Sequence, residues 1–248
     1  MQPRAAPWSR CFRAQLWVEL LLMLRQGENL LVILVLPVLL LVLFTGARIF
    51  PAGQGRPVDF LVPGVLTVAL MSTGLVTLGI STAYQRYYRV LKRLGGTPLT
   101  RGGLASAKAT ATILVEVAQV VLLLVIASLF LNWSAQGSLA LAIPVLVLGA
   151  ITFAGLGLTL AGALRAELTL GSANGLYLLF LILGGVVLPI DHLPSLIQPL
   201  ARVLPPTVLS ASLRSILQGA SPSAFDLALL AAWAVALGAL AAWRFRWE

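Results

Sequence analysis

Six long apolar stretches, separated by polar or Gly/Pro-rich segments, dominate the pattern of the sequence. They cover about residues 29–44, 60–83, 109–131, 139–164, 168–188 and 224–243. A helix needs about 20 apolar residues to cross the hydrocarbon core of a bilayer, and these stretches are of that order. Pro37 lies inside the first stretch and predicts a kink there. The pattern predicts an all-α membrane protein with six transmembrane helices, forming a single domain over residues 1–248.

The residues before the first stretch show a different pattern, typical of an amphipathic helix. Apolar residues recur on one face and polar residues lie on another side: Phe12, Leu16, Leu20 and Met23 on the first, and Gln15, Glu19 and Gln26 on the second. This favours a helix over residues 1–26 that lies in the membrane interface, and a basic cytoplasmic tail is the alternative. Basic residues continue as far as Arg25, unlike in a secretory leader, so we expect no cleaved leader.

Composition and charge agree with a membrane protein and suggest its orientation. The chain is 59% hydrophobic and 10% charged, with mean hydropathy +0.98, whereas a soluble domain carries about 25% charged residues. Thirteen of the 17 Lys and Arg residues fall inside if both termini are cytoplasmic. We therefore assign the +9 net charge to membrane topology rather than to nucleic acid.

The candidate chemistry excludes several classes of enzyme. Neither Lys92 nor Lys108 lies in a Gly-rich phosphate-binding loop, so we expect no ATP site on this chain. A single His192 and a single Cys11 leave no pattern for a metal site, a disulfide or a nucleophile paired with a base. We predict no catalytic residue and no metal; a membrane-embedded enzyme and a non-transporting assembly subunit remain the alternatives from other classes.

The segment between the second and third stretches is strongly basic. Residues 84–108 contain no acidic residue and six basic ones, Arg86, Arg89, Lys92, Arg93, Arg101 and Lys108. Residues 84–94 can form a short helix, and Gly95, Gly96 and Pro98 can end it. A short cationic helix at the membrane surface suits docking to a partner or to anionic lipid headgroups. The alternative is that these charges only enforce topology.

The outer connection, residues 189–222, is apolar yet contains six prolines. Residues 193–201 and 208–218 can each form a helix too short to cross the membrane, and Pro205 and Pro206 separate them. We interpret them as half-helices that dip back toward the membrane, where surrounding protein or a water-filled cavity would tolerate them. Such a pair could close the outer end of a pathway.

Two polar residues inside the stretches are candidates for a transport cavity. Glu116 lies near the middle of the third stretch, where a carboxylate needs a partner, a proton or water. In one interpretation Glu116 lines a cavity and attracts cationic amphiphiles. In the other it is a protonated carboxyl group or is hydrogen-bonded, for example to Gln119. For Asn174 in the fifth stretch, we favour a hydrogen bond across a helix interface over contact with substrate.

Two motifs resemble those of a known family. The first motif consists of Leu91, Lys92, Arg93, Leu94, Thr97, Pro98, Leu99 and Lys108. The second motif consists of Gly184, Gly185, Leu188, Pro189, Leu193, Pro194, Ile197, Gln198, Pro205, Leu213, Arg214 and Gly219. Together they are similar to the type-2 ATP-binding-cassette (ABC) transporter permeases, and among these to the drug-exporter membrane subunits of the daunorubicin-resistance kind. Relatives usually carry an acidic residue and a glycine before the basic run, whereas this chain has Gln85 and Arg86 there.

This resemblance implies a function and a set of partners. It implies an exporter that moves an amphipathic drug-like or lipid-like substrate out of the cytoplasm or inner leaflet of a bacterial cytoplasmic membrane, with antibiotic resistance as a consequence. Export of a polysaccharide, a glycolipid or ions is the alternative. The permease would pair with a second copy or a similar subunit and with two ATPase subunits, which would hold ATP and Mg. This chain itself would bind no cofactor.

The resemblance also implies roles for individual residues. The N-terminal helix and the 84–94 helix would contact the ATPase, with coupling residues Arg86, Arg89, Leu91, Lys92, Arg93, Leu94 and Pro98. The outer half-helices would form an extracellular gate that includes Pro189, Leu193, Pro194, Pro205 and Arg214.

Overall fold

The computed structural model describes residues 7–25, 27–46, 56–97, 99–187 and 189–244, and these form helices and turns with no strand among them. The helices are α1 (Trp8–Arg25), α2 (Gly27–Gly46), α3 (Pro57–Leu70), α4 (Leu78–Tyr87), α5 (Val90–Leu94), α6 (Arg101–Phe130), α7 (Leu139–Ala163), α8 (Ala166–Leu183), α9 (Gln198–Arg202), α10 (Pro205–Leu217) and α11 (Ala224–Arg244). A π-helical segment, Met71–Thr77, joins α3 to α4, and Ile190–His192 forms a 3-10 turn. The predicted all-α fold class is confirmed.

Within these ranges, five helices are long and apolar enough to cross a membrane: Pro57–Tyr87, Arg101–Phe130, Leu139–Ala163, Ala166–Leu183 and Ala224–Arg244. They correspond to the second to sixth predicted spans. The first predicted span lies in α2, a helix of 20 residues that contains Pro37. Its apolar segment Ile33–Gly46 is shorter than the five helices above. The chain is therefore a multi-pass membrane protein, and a total of six spans stays a prediction.

Local sequence explains where several helices begin and end. Pro57 occupies the first turn of α3, and Pro205 and Pro206 occupy the first turn of α10, where the missing N–H groups need no partner. The Thr100 hydroxyl caps α6 by accepting a hydrogen bond of 3.0 Å from the Gly103 N–H. Extended backbone at Leu164 and Arg165 separates α7 from α8. The ends of these helices are therefore set by prolines, capping side chains and extended residues, and not only by a loss of apolar residues.

The core forms around the continuous helix Pro57–Tyr87, most of whose apolar stretch is buried by its neighbours. Leu66, Leu70 and Leu75 from this helix pack with Phe153 of α7 and Leu209 of α10. In lipid the surrounding solvent is itself apolar, so close van der Waals packing and hydrogen bonds rather than burial from water hold such helices together.

Glycines allow two of the closest helix contacts. A Cβ atom on Gly157 of α7 would collide with the carbonyl oxygen of Gly74 in the π-helical segment. A Cβ atom on Gly155 would lie 2.8 Å from the carbonyl carbon of Leu237 in α11. Small residues therefore let α7 approach two neighbouring backbones at once, as is common in membrane bundles.

Helix α1 packs along α6 with its polar side inward. Gln15 and Glu19 are buried, whereas Trp8, Trp17 and Leu24 are exposed on the outside of the helix. An amphipathic helix with an exposed apolar side suits the membrane interface, where tryptophan rings favour the headgroup level. The polar side, in turn, is available to bond with the protein.

Candidate functional site

The basic segment contains a sharp turn and a very short helix, not one helix over residues 84–94 as the sequence predicted. Helix α4 ends at Tyr87, and Arg89 adopts a left-handed conformation with φ 58° before α5 begins at Val90. A left-handed residue cannot continue an α-helix, so the chain turns there. The predicted coupling helix is therefore reduced to five residues.

The predicted coupling residues divide into anchors and an exposed cationic surface. Leu91 is fully buried, and the partly buried Leu94 packs in the same cluster, next to Leu78, Leu99 and Leu104. Arg89, Lys92 and Arg93 are exposed, and Tyr87 and Tyr88 are exposed beside them. We call Tyr87, Tyr88, Arg89, Lys92 and Arg93 the basic surface. Pro98 lies outside the described residues.

Arg86 has a different environment from the other coupling candidates. Its half-buried guanidinium donates to the carbonyl oxygen of Gly162 at 2.9 Å and to that of Leu164, at the end of α7. A helix leaves its last carbonyl groups without partners inside the helix, and a cation there also complements the helix dipole. Arg86 therefore joins the end of α4 to the end of α7.

A buried polar junction lies behind the basic surface. Lys108 of α6 is only 1% exposed. Its ammonium group lies 2.8 Å from the Glu19 carboxylate of α1 and donates to the Gln85 side-chain oxygen of α4 at 2.6 Å. Gln15 donates to Glu19 at 2.7 Å. We call Gln15, Glu19, Gln85 and Lys108 the junction; it fastens α1 and the end of α4 to α6.

All four members of the junction are recognisable as polar residues in the sequence, but only the fold brings them together. Glu19 supplies the carboxylate, and Gln85 lies just before the basic run. The signal was present: residues 84–108 contain no acid, so a buried lysine there needs a carboxylate from another segment. Glu19 is one of the few acidic residues on the same predicted side of the membrane.

Glu116 lies beside the π-helical segment and is 2% exposed. Neither carboxyl oxygen has a hydrogen-bond partner among the described residues. A Cβ atom on Gly74 would lie 3.1 Å from one of these oxygens. π-Helical segments in α-helices are frequent at functional sites because they alter the backbone hydrogen bonds. An unpartnered acid and an irregular backbone thus meet at one point of the core.

Glu116 also lines a cavity of about 470 Å³ between α6 and α7. The other lining residues are apolar, and Val117, Val121 and Ile143 are exposed on the outer edge of the cavity. Lipid or an amphipathic molecule could enter from that side.

Gln119, the predicted alternative partner of Glu116, bonds elsewhere. It accepts a hydrogen bond from the Thr73 hydroxyl at 2.7 Å and donates to the Ile33 carbonyl oxygen at 2.9 Å. Gln119 thus links α6 to the π-helical segment and to α2, one turn away from Glu116.

Asn174 lies on an exposed side of α8 and is not among the residues that line the 470 Å³ cavity. Its side-chain amide donates to the Leu170 carbonyl oxygen of the same helix at 2.9 Å. Gly171 and Gly175 lie on the same helix, with open space where a Cβ atom would be. The cross-helix bond expected for Asn174 is not present within the described part of this chain.

The predicted outer gate residues lie around α10. Pro205 begins α10, Pro189 precedes the 3-10 turn, and the carbonyl groups of Leu193 and Pro194 accept bonds from the start of α9. The Arg214 guanidinium lies 3.8 Å from the centre of the Phe60 ring, and its Nη2 reaches the Gly185 carbonyl oxygen at 3.4 Å. Burial lowers the pKa of Arg214 to about 10, so the side chain stays charged at neutral pH.

Comparison with known proteins gives the family. No curated protein matches this chain. The family model of the ABC-2 type transporter matches residues 10–217, well over half of the chain. That range contains the junction, the basic surface, Glu116 and α10. The chain therefore belongs to the ABC-2 type transporter family, whose members are the membrane permease components of ABC transporters and act with ABC ATPase subunits.

Proposed function

We propose that this chain is the permease subunit of an ATP-driven exporter of amphipathic drug-like or lipid-like molecules. Two separate ATPase subunits would hold ATP and Mg, and a second permease copy would complete the pathway. The membrane would be the bacterial cytoplasmic membrane, with both termini inside. The observation that carries the proposal is the junction, because it links the basic surface to a spanning helix through buried charged contacts.

The basic surface is a suitable docking site for an ATPase. Its three cations and two tyrosine rings are exposed, and the Tyr87 and Tyr88 rings pack edge to face with centres 5.2 Å apart. Arginine and tyrosine are enriched at protein interfaces because they offer large contact areas and hydrogen bonds. Leu91, buried beneath this surface, gives α5 a fixed anchor.

Movement of the basic surface can reach the membrane by two connections. Gln85 bonds to Lys108 of α6, and Arg86 bonds to the end of α7. Closure of the ATPase subunits on ATP would displace α5 and α4, and these contacts would carry the displacement to α6 and α7. Rigid-body movement of helices is a usual way to alternate access between the two sides of a membrane.

The cavity between α6 and α7 supports an amphipathic substrate. Its volume of about 470 Å³ lies within the range of small-molecule sites, and its exposed edge faces the outside of the bundle. On the proposed topology the lining residues Leu139 and Leu217 lie toward the outer leaflet, so a molecule with an apolar body would exchange with that leaflet, and Glu116 would lie near the inner end of the cavity. These features favour a hydrophobic substrate over a long polysaccharide.

The exposed side of α8 supports pairing with a second copy. Gly171 and Gly175 have the spacing that lets two membrane helices approach closely, and Asn174 lies between them in the sequence. In a dimer this side of α8 would be covered, and the Asn174 amide could bond to the facing helix.

The test is a triple substitution on the basic surface, Arg89→Gln, Lys92→Gln and Arg93→Gln, in the permease purified with its ATPase from the native membrane. We expect the variant to lose stoichiometric ATPase on purification and to lose substrate-stimulated ATP hydrolysis in proteoliposomes. Mass measurement of the wild-type complex should give two permease and two ATPase subunits. Arg244→Gln, an exposed cation at the end of α11, is the control and should keep both properties.

Three results would contradict the proposal. A triple variant that hydrolyses ATP and transports like wild type would exclude docking at the basic surface. A wild-type preparation with no ATPase would exclude the exporter. A complete complex without transport of any substrate would favour an assembly subunit.

A further inference from the structure

A second, polar cavity of about 300 Å³ lies at the start of α3, next to α10 and the loop after α8. Its lining contains Arg202, Thr207, Ser210, Arg214 and Asp191. This cavity is separate from the apolar cavity at Glu116, which none of these residues lines. Its chemistry is not needed for the proposed coupling to the ATPase.

Positive charge exceeds negative charge in this cavity. Two guanidinium groups, Arg202 and Arg214, face one carboxylate, Asp191, and no ion pair joins them in the described part of the chain. Asp191 is exposed to solvent, whereas Arg214 is partly buried. A partly buried cation without a carboxylate partner favours an anion from outside the chain.

Hydrogen-bond donors also exceed acceptors there. Arg214 makes one long bond, 3.4 Å to the Gly185 carbonyl oxygen, and its Nε–H has no partner among the described residues. The Thr207 hydroxyl, on a residue that is 4% exposed, has none either. The Ser210 hydroxyl already donates to the Thr207 carbonyl oxygen at 3.0 Å. Unpaired buried donors are rare in proteins, so they indicate a missing acceptor.

The position of α10 adds to the attraction for an anion. Thr207 lies in the first turn of α10, a helix of 13 residues, and the positive end of a helix dipole attracts negative charge. Thr207, Ser210 and Arg214 follow one another at spacings of three and four residues, so they lie along one side of the helix. A group with several acceptor oxygens could contact this side and Arg202 together.

We propose that this cavity binds a phosphate-type anion, either the headgroup of an acidic phospholipid or free phosphate. Both have several acceptor oxygens and a negative charge, which matches two arginines and an unpaired hydroxyl. The predicted orientation places the cavity at the outer face of the membrane, within reach of lipid headgroups. An occupant would bridge α10 and Arg202 and would hold α9 and α10 together.

The test measures the anion retained by the full chain, with its co-purifying subunits, in phosphatidylcholine vesicles with or without phosphatidylglycerol. Native mass spectrometry should find phosphatidylglycerol bound after extraction in detergent. Arg214→Gln should weaken this binding about tenfold, the usual effect of losing a charge-assisted hydrogen bond. Thr207→Val keeps both charges, so it should weaken binding less, by about threefold, and it provides a second variant if Arg214→Gln fails to fold.

The matched control is Arg25→Gln, which removes one exposed cation from the end of α1. It should leave binding at this site unchanged. The second arm uses inorganic phosphate with the protein in phosphatidylcholine vesicles. A rise in the thermal unfolding midpoint that Arg214→Gln abolishes supports free phosphate as the ligand. Retention of phosphatidylglycerol without this rise supports a lipid headgroup. Equal losses in Arg214→Gln and Arg25→Gln, or no binding of either probe, would overturn the proposal.

Discussion

Glu116 combines full burial with two carboxyl oxygens that have no partner among the described residues. An ionised carboxylate in the middle of a membrane helix costs about 2.5–3.5 kcal/mol on insertion scales. A residue kept at that cost usually serves function rather than stability. Gln119, one turn further along α6, differs from Glu116 because its side-chain amide has two hydrogen-bond partners, the Thr73 hydroxyl and the Ile33 carbonyl oxygen.

Substitution of these two residues by methionine should therefore have opposite effects on stability. Glu116→Met removes an unpaired group and should raise the free energy of unfolding by about 1–3 kcal/mol while lowering transport. Gln119→Met leaves the Thr73 hydroxyl and the Ile33 carbonyl unpaired and should lower the free energy of unfolding by about 1–3 kcal/mol. Thermal unfolding midpoints in detergent measure both. A Glu116→Met protein less stable than wild type would show that the carboxyl has a partner.

Arg86 and Arg89 were predicted to share one role, but their side chains lie in different places. Arg86 bonds the end of α7, whereas Arg89 is exposed on the basic surface. Sequence alone could not separate them, because both are basic residues of the same run. Arg86 lies within α4 on the side that meets the end of α7, whereas the left-handed Arg89 lies in the turn after α4.

Arg86→Met should therefore lower the free energy of unfolding, by about 1.5–3 kcal/mol, because it removes charged hydrogen bonds to α7. Arg89→Met should change it by less than about 0.5 kcal/mol, as for an exposed position. Unfolding midpoints of the two variants give the comparison. An equal loss of unfolding free energy in both variants would mean that the Arg86 hydrogen bonds contribute nothing to stability.

At the scale of helices, the apolar stretches predicted some boundaries closely and others less well, since the third span was predicted from residue 109 whereas α6 begins at Arg101. The fourth predicted span, residues 139–164, is matched by Leu139–Ala163, and the sixth, residues 224–243, by Ala224–Arg244. Long apolar stretches identify spans because the bilayer fixes their length. The π-helical segment was not predicted, because Met71–Thr77 has the same composition as an ordinary span and its backbone depends on tertiary contacts.

The contact of α7 with the π-helical segment makes a prediction about packing. Gly157→Ala should lower the free energy of unfolding by about 1–3 kcal/mol, since the new methyl group collides with the Gly74 backbone. Gly102→Ala, in the first turn of α6 with open space around it, is the control and should be neutral or slightly stabilising. Unfolding midpoints again measure the difference. A stable Gly157→Ala protein would mean that α7 can move away without loss.

For the whole molecule, the junction connects the membrane interface to the spanning bundle. Lys108 was visible in the sequence as a basic residue, but its partner Glu19 lies 89 positions away, and only the fold brings them together. Members of this family act with ABC ATPase subunits, and under the proposed function the junction would carry ATPase movement to α6. The side of α8 with Gly171 and Gly175 has open space around it, and under the proposed function a second copy would cover it.

Breaking a buried ion pair leaves an unpaired charge and typically costs about 3–5 kcal/mol, whereas exchanging the two charges keeps the pair. Glu19→Lys and Lys108→Glu alone should therefore lose coupling, and the double exchange should restore part of it. The Gln85 side chain can bond either charge, because its amide both donates and accepts.

The most direct measurement is substrate efflux per ATP hydrolysed, in proteoliposomes that contain the complete complex with wild-type, single or doubly exchanged permease. We predict a low ratio for Glu19→Lys and for Lys108→Glu, with ATPase still bound, and a recovered ratio for the double exchange. If both single variants kept the wild-type ratio of efflux to ATP hydrolysis, this prediction would be contradicted, because the junction would then carry no movement from the ATPase to the membrane.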